Sequence, residues 1–154
     1  MAAPSVKRRG GVSVQRKDFK AMSGTFRFEL VSPERILLSD TAEEVIVPGV
    51  EGEFTVLAGH APVVSAILPG VIHAKLMAST KGIYVDGGFV EVNPESVTVL
   101  ADSAFIVDEA DERQLADALS DAERALDQAN DDDALRHVTS AIEHLKGLQR
   151  KRGI

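Results

Sequence analysis

The chain of 154 residues has no cysteine and no tryptophan, and aromatic residues make up only 5% of it. Without cysteine there is no disulfide framework, no thiolate nucleophile and no cysteine-ligated zinc site, a usage that fits a reducing compartment. With so few aromatics the interior must be aliphatic, and a hydrophobic content of 44% is ample for a core. No apolar run approaches the roughly 20 residues that cross a bilayer as a helix. The Gly-x-x-x-x-Gly-Lys phosphate loop and the Gly-x-Ser-x-Gly nucleophile elbow are also missing, so the two commonest signatures of nucleotide and ester chemistry are excluded.

Charge is present in excess and unevenly placed. The formal net charge is −7, yet Met1 to Met22 carries Lys7, Arg8, Arg9, Arg16, Lys17 and Lys20 against Asp18 alone. Setting that stretch aside leaves 11 basic and 23 acidic residues, a net of −12, which disfavours nonspecific nucleic-acid binding and points to partners with basic surfaces. The leader, residues 1–24, lacks the apolar segment of a secretory signal. Its composition is that of a disordered basic tail, with an organellar transit peptide or a true start at Met22 as the alternatives.

From Phe26 to Ile106 the pattern is that of short strands. Phe26, Phe28 and Leu30 alternate with Arg27 and Glu29 before the Ser32-Pro33 break. Glu43 to Val47, Glu53 to Leu57 and Val63 to Leu68 have strand length, separated by Pro48-Gly49, Gly52 and Gly59-His60-Ala61-Pro62. Further strands are expected near Val71 to Met77, Gly82 to Val85, Phe89 to Val92 and Val97 to Ala101. About ten short strands with no helical pattern between them predict an antiparallel β sandwich, or flattened barrel, over residues 25–107.

The period changes at Asp108. Leu115, Leu119 and Leu126 recur with alanines at three- and four-residue steps, and Leu135, Val138, Ile142 and Leu145 do the same after a short joint at Asp127 to Asp132. Asp108 is a plausible N-cap for the first helix, and Asp131 to Asp133 supply caps for the second. The expectation is an antiparallel helical hairpin over 108–149 and a basic tail over 150–154. Asp108 to Asp133 holds eleven acids against Arg113 and Arg124, and two such slender helices bury little by themselves. The hairpin should therefore lean on the sandwich or on another protein, by the residues just named.

The string Pro48-Gly49-x-x-Gly52-Glu53-Phe54, then Gly59-His60-Ala61-Pro62, then Leu68-Pro69-Gly70, followed by a helical hairpin, resembles the epsilon-subunit family of the bacterial F-type rotary ATP synthase, equivalent to the mitochondrial delta subunit. Phe28 to Pro33 and Gly87 to Ala104 resemble the family's first and last strands, and the likeness covers roughly Thr25 to Leu148. It implies a noncatalytic rotor subunit of the central stalk, without cofactor or metal, that joins the gamma subunit to the membrane c-ring and helps couple proton flow to ATP synthesis. It also implies a peripheral place at the cytoplasmic face of the bacterial inner membrane, or on the matrix side if the chain is mitochondrial. In many members the hairpin leaves the sandwich, extends along gamma toward the alpha and beta subunits and blocks hydrolysis.

On that resemblance Glu53, with Glu51 beside it, corresponds to the acidic loop that meets the c-ring, whereas paired acids on a glycine turn are by themselves most often just solvated. His60 matches a histidine that faces gamma, and Val63, Val64 and Ser65 share that surface; taken alone, a loop histidine is a packing or hydrogen-bonding residue. His137 and His144, seven apart, are expected as surface histidines on one helix face. Some members bind ATP through the hairpin, but Gln114 stands where their motif has Arg and the second helix is poor in bases, so weak or absent ATP binding is expected. A metal-binding barrel built on His60 has little support, since Pro62 breaks the His-x-His spacing. A ligand- or carbohydrate-binding sandwich remains the alternative, although aromatic platforms are scarce.

Overall fold

The structure is a computed structural model and describes residues 24–153. The basic leader therefore lies, apart from Gly24, outside the described residues. The described residues hold nine strands: β1 (Phe26–Ser32), β2 (Arg35–Gly49), β3 (Gly52–Leu57), β4 (Val63–Ile67), β5 (Gly70–Leu76), β6 (Thr80–Val85), β7 (Gly88–Asn93), β8 (Ser96–Ala101) and β9 (Ala104–Ile106). A single 3₁₀ turn (Val107–Glu109) leads into two helices, α1 (Glu112–Gln128) and α2 (Asp132–Lys151). A β domain followed by a helical pair is the predicted architecture.

The strands hydrogen-bond in the order β9-β6-β5-β2-β1-β8-β7-β4, with β3 added beside β2. Strand β2 belongs to both layers. Its first half pairs with β1 from Arg35 to Ala42, and its second half lies between β3 and β5. The register slips between Ala42 and Glu44, a bulge that lets the strand turn from one layer into the other. At the far end Gly49 pairs with Ile67 of β4, which closes the sheet on itself. Inside lie Phe28, Leu30, Val45, Val47, Val56, Ile72, Ile83, Val85, Val90 and Val99, an aliphatic core with two phenylalanines counting Phe26.

Three details differ from the sequence reading. The long strand β2 extends well upstream of Glu43, because Arg35 to Asp40 forms an exposed hairpin with β1 and so shows no buried alternation. The pair β1–β8 is parallel, whereas every other pair among the described residues is antiparallel, so the sandwich is not wholly antiparallel; sequence patterning carries no information on strand direction. Asp108 is not the helix cap. It sits in the 3₁₀ turn, Ala110 then runs extended, and Asp111 accepts the bond from the Gln114 amide at 2.8 Å. On α2, Asp131 does the same for Ala134 at 2.7 Å.

The hairpin covers one outer face of the sandwich. Tyr84 and Phe105 stack there with ring centroids 5.2 Å apart and pack with Ala110, Leu115, Leu145 and Leu148. Leu119 joins the edge of this cluster, Val138 is buried and Ile142 is half-buried. Leu126 and Leu135, at the end of the hairpin near its joint, remain 39% and 46% exposed.

Candidate functional site

The acidic loop is the connection between β2 and β3. Gly49 pairs with Gly52 and Pro48 with Glu53, so Val50 and Glu51 form its tip. Gly49 has no room for a side chain: a Cβ there would lie 2.9 Å from Cε1 of Phe54. The tip is thereby held tightly, and Glu51 and Glu53 both stand exposed with no ion pair to another described residue. Two free carboxylates on a rigid turn form a small fixed negative surface.

The next loop carries His60, half-buried, with its ring 6.4 Å from that of Phe54. The His60 amide donates to Leu57 at 3.1 Å, Nδ1 donates to the Ala61 carbonyl at 2.7 Å, and the Gly59 amide donates to Pro94 at 2.8 Å. These bonds fix the loop against β3 and the β7–β8 turn. Strand alternation then separates the three residues that follow. Val63 and Ser65 oppose the buried Val92 and Val90, while Val64 opposes Glu91 on the outer surface and is 70% exposed.

That outer surface holds residues that the sequence reading did not single out. Ala66 of β4 is directly opposite Phe89 of β7, Phe89 is opposite Leu100 of β8, Leu100 is opposite Val31 of β1, and Val31 is opposite Ile36 of β2. Five apolar side chains thus form one row across five strands, about 19 Å long at the usual strand spacing. Phe89, Leu100 and Ile36 are 58%, 55% and 62% exposed. The neighbouring row is polar: Glu91, Thr98, Glu29 and Ser39, with Arg27 bonded to Ser39 at 2.6 Å. Phe89 and Leu100 break the outward-polar alternation of their strands. That irregularity was the one signal in the sequence, but it gains meaning only when the register aligns the two residues.

Of the two α2 histidines expected at the surface, one is partly covered by the sandwich. His137, half-buried, lies against Gly87, whereas His144 touches Gly70 with its ring edge and remains exposed. Asp111 is occupied as the cap of α1, accepting from the Gln114 amide.

The ATP synthase delta/epsilon chain β-sandwich domain matches residues 25–107. An ATP synthase epsilon chain of Brucella anthropi is 43% identical over 129 residues, 83% of this chain and 96% of that one. One of Sinorhizobium medicae is 45% identical over 116 residues, 75% of this chain and 87% of that one. Among solved structures, a chain of the mitochondrial ATP synthase of Euglena gracilis has the same fold, with a TM-score of 0.62 at 24% identity over 84% of this chain and 82% of that one. The sandwich with its Gly-punctuated loops, the capped helical hairpin and relatives that align along most of both chains lead to one assignment: this chain belongs to the ATP synthase delta/epsilon family as an epsilon chain.

Proposed function

We propose that the protein is a noncatalytic central-stalk subunit that links gamma to the c-ring and helps couple proton flow to ATP synthesis, peripheral to the membrane through the complex. The observation that carries this reading is the apolar row from Ala66 to Ile36 on the sandwich face opposite in role to the one the hairpin covers. A monomer gains nothing from leaving Phe89, Leu100 and Ile36 in water, so a protein partner belongs on that face. Gamma docks on this row in our reading, with Val64 beside its Ala66 end, in register with Glu91 of the neighbouring row, His60 on the adjoining loop, and Val63 and Ser65 on the other side of the strand.

Glu53 and Glu51 occupy a separate turn and meet the c-ring. The contribution of the chain in this reading is mechanical. The hairpin is the movable element: released from Tyr84 and Phe105 it extends along gamma, reaches the alpha and beta subunits and restrains hydrolysis.

Copurification of the full chain with gamma tests the reading. Phe89→Thr combined with Leu100→Thr should weaken binding strongly while circular dichroism and thermal midpoint stay close to wild type, because both side chains lie outside the core and Thr suits an exposed cross-strand pair. Undiminished binding of the double variant would remove the row from the interface, and a wild-type chain that binds neither gamma nor c-ring would overturn the function itself. Truncation after Val107 should raise hydrolysis by the assembled enzyme; unchanged hydrolysis would refute the inhibitory part.

A further inference from the structure

Strands β4 and β5 are joined by Leu68 and Pro69 alone, and this corner is tied on two sides. On one side lies the acidic turn. The Leu68 amide donates to the Pro48 carbonyl at 2.9 Å, the Val50 amide donates to the Ala66 carbonyl at 3.1 Å, and Gly49 between them is in register with Ile67. The strand end that leads into Val50 and Glu51 at the tip is therefore bonded to the corner residue by residue. On the other side lies the hairpin, where Ser140 Oγ of α2 donates to the Pro69 carbonyl at 2.7 Å.

Packing and chemistry reinforce both ties. Pro69 and Gly70 are buried and Ser140 is half-buried. A Cβ at Gly70 would lie 3.3 Å from Cβ of Pro48 and 3.3 Å from Nε2 of His144, so this glycine is held between the base of the acidic turn and helix α2. Pro69 has no amide hydrogen, which makes its carbonyl its one backbone polar group, and an acceptor in a buried corner needs a donor. Serine inside a helix commonly bonds back to a carbonyl one turn earlier; Ser140 bonds across to another element instead. The donor that satisfies the corner thus belongs to the hairpin.

We propose that Ser140, through its bond to Pro69, couples the seat of the hairpin to the acidic turn, so that docking of α2 stiffens the turn that carries Glu51 and Glu53 and release of α2 loosens it. Ser140 is a positioning residue: it fixes the corner to which Pro48 and Val50 are bonded. The two states that such a coupling requires are the docked and the released hairpin, so the inference rests on the movable hairpin of the reading above. Coupling of this kind is reciprocal. An acidic turn held firmly by a partner favours the docked hairpin by the same free energy with which docking firms the turn. The turn assigned to the c-ring and the element assigned to restraint of hydrolysis then share one corner of the sandwich.

Hydrogen exchange of single amides in the isolated full chain reads the coupling directly. The amides to follow are Leu68 and Val50, each taken relative to the Arg27 amide, which donates to Glu95 at 2.9 Å at the start of β1. Ser140→Ala should lower the relative protection of both about fivefold, the loss expected for one hydrogen bond, and Ser140→Thr, which keeps the hydroxyl, should restore it. Leu115→Ala acts from α1, in the cluster around Tyr84 and Phe105, and with Ser140 intact it should lower the α2 amides and the two corner amides together. Unchanged protection in Ser140→Ala, a fall confined to Leu68, or a fall in α2 alone in Leu115→Ala would overturn the proposal. Gamma and the c-ring are absent from this measurement, so its failure and failure of the rotor reading are seen in separate experiments.

Discussion

Tyr84 and Phe105 are direct cross-strand partners of β6 and β9, and their rings stack at 5.2 Å with an interplanar angle of 29°. In a chain this poor in aromatics, the pair forms the platform on which Leu115, Leu145 and Leu148 rest. Aromatic side chains supply much contact area per residue, which suits a hairpin whose first helix is mostly alanine and acid on its surface. Burial also pushes the Tyr84 hydroxyl above its ordinary range, with Asp86 adding to the effect, so the ring stays neutral at any physiological pH.

Phe105→Ala should therefore act mainly on the hairpin. A loss of about 3 kcal/mol is expected for truncating a buried phenylalanine. Proteolysis within α1 and α2 should accelerate well before the sandwich opens. Simultaneous loss of both parts in a single transition would show instead that the pair belongs to the common core.

Caps decide where the helices begin. Asp131→Ala removes the acceptor of the Ala134 amide and should cost about 1 kcal/mol, with the loss confined to α2. Asp108→Ala, at the exposed 3₁₀ turn, should cost much less than Asp111→Ala, because only Asp111 accepts a bond from the first turn of α1. Urea midpoints of the three variants check the order.

Reversing the charge of the acidic turn should leave the fold alone. Glu53 is exposed and its partner in the register is Pro48, so Glu53→Lys should shift the thermal midpoint by no more than a surface change does. Binding to gamma should persist, whereas assembly with the c-ring and proton-coupled ATP synthesis should fall. Normal coupled synthesis by the variant complex would exclude Glu53 from that contact.

The carboxyl of Asp86, raised chiefly because packing desolvates it, fixes the sign of one pH effect. Its folded-state affinity for protons exceeds that of the unfolded chain, where an ordinary Asp ionises near about 3.9. Its contribution is most favourable below that ordinary value, declines as pH rises through the folded value and then levels off. Asp86→Asn should abolish this decline, so the variant should match wild type at acid pH and equal or exceed it at neutral pH. Denaturant midpoints at the two pH values measure this, and a variant that loses stability more steeply than wild type would contradict the sign.

The alternation of Phe26, Phe28 and Leu30, the Gly and Pro punctuation from Pro48 to Gly70, and the change of period after Asp108 are local properties of the chain. They set which segments become strands and which become helices, and with them the two-part plan, because each records how one element divides its faces between water and core. The acidic turn at Glu51 and Glu53 is local in the same sense, being held by Gly49 and Gly52 a few residues apart. What joins distant segments was not readable in this way. The parallel β1–β8 pair, the transfer of β2 between layers, the row formed by Ala66, Phe89, Leu100, Val31 and Ile36, and the bond from Ser140 to the Pro69 carbonyl each depend on register between elements far apart in sequence. A one-residue slip would send Phe89 and Leu100 inward and leave no row at all. Sequence fixes the period of each element, whereas only the packed fold sets the phase between them, and the proposed docking face and the Ser140 contact are both matters of phase.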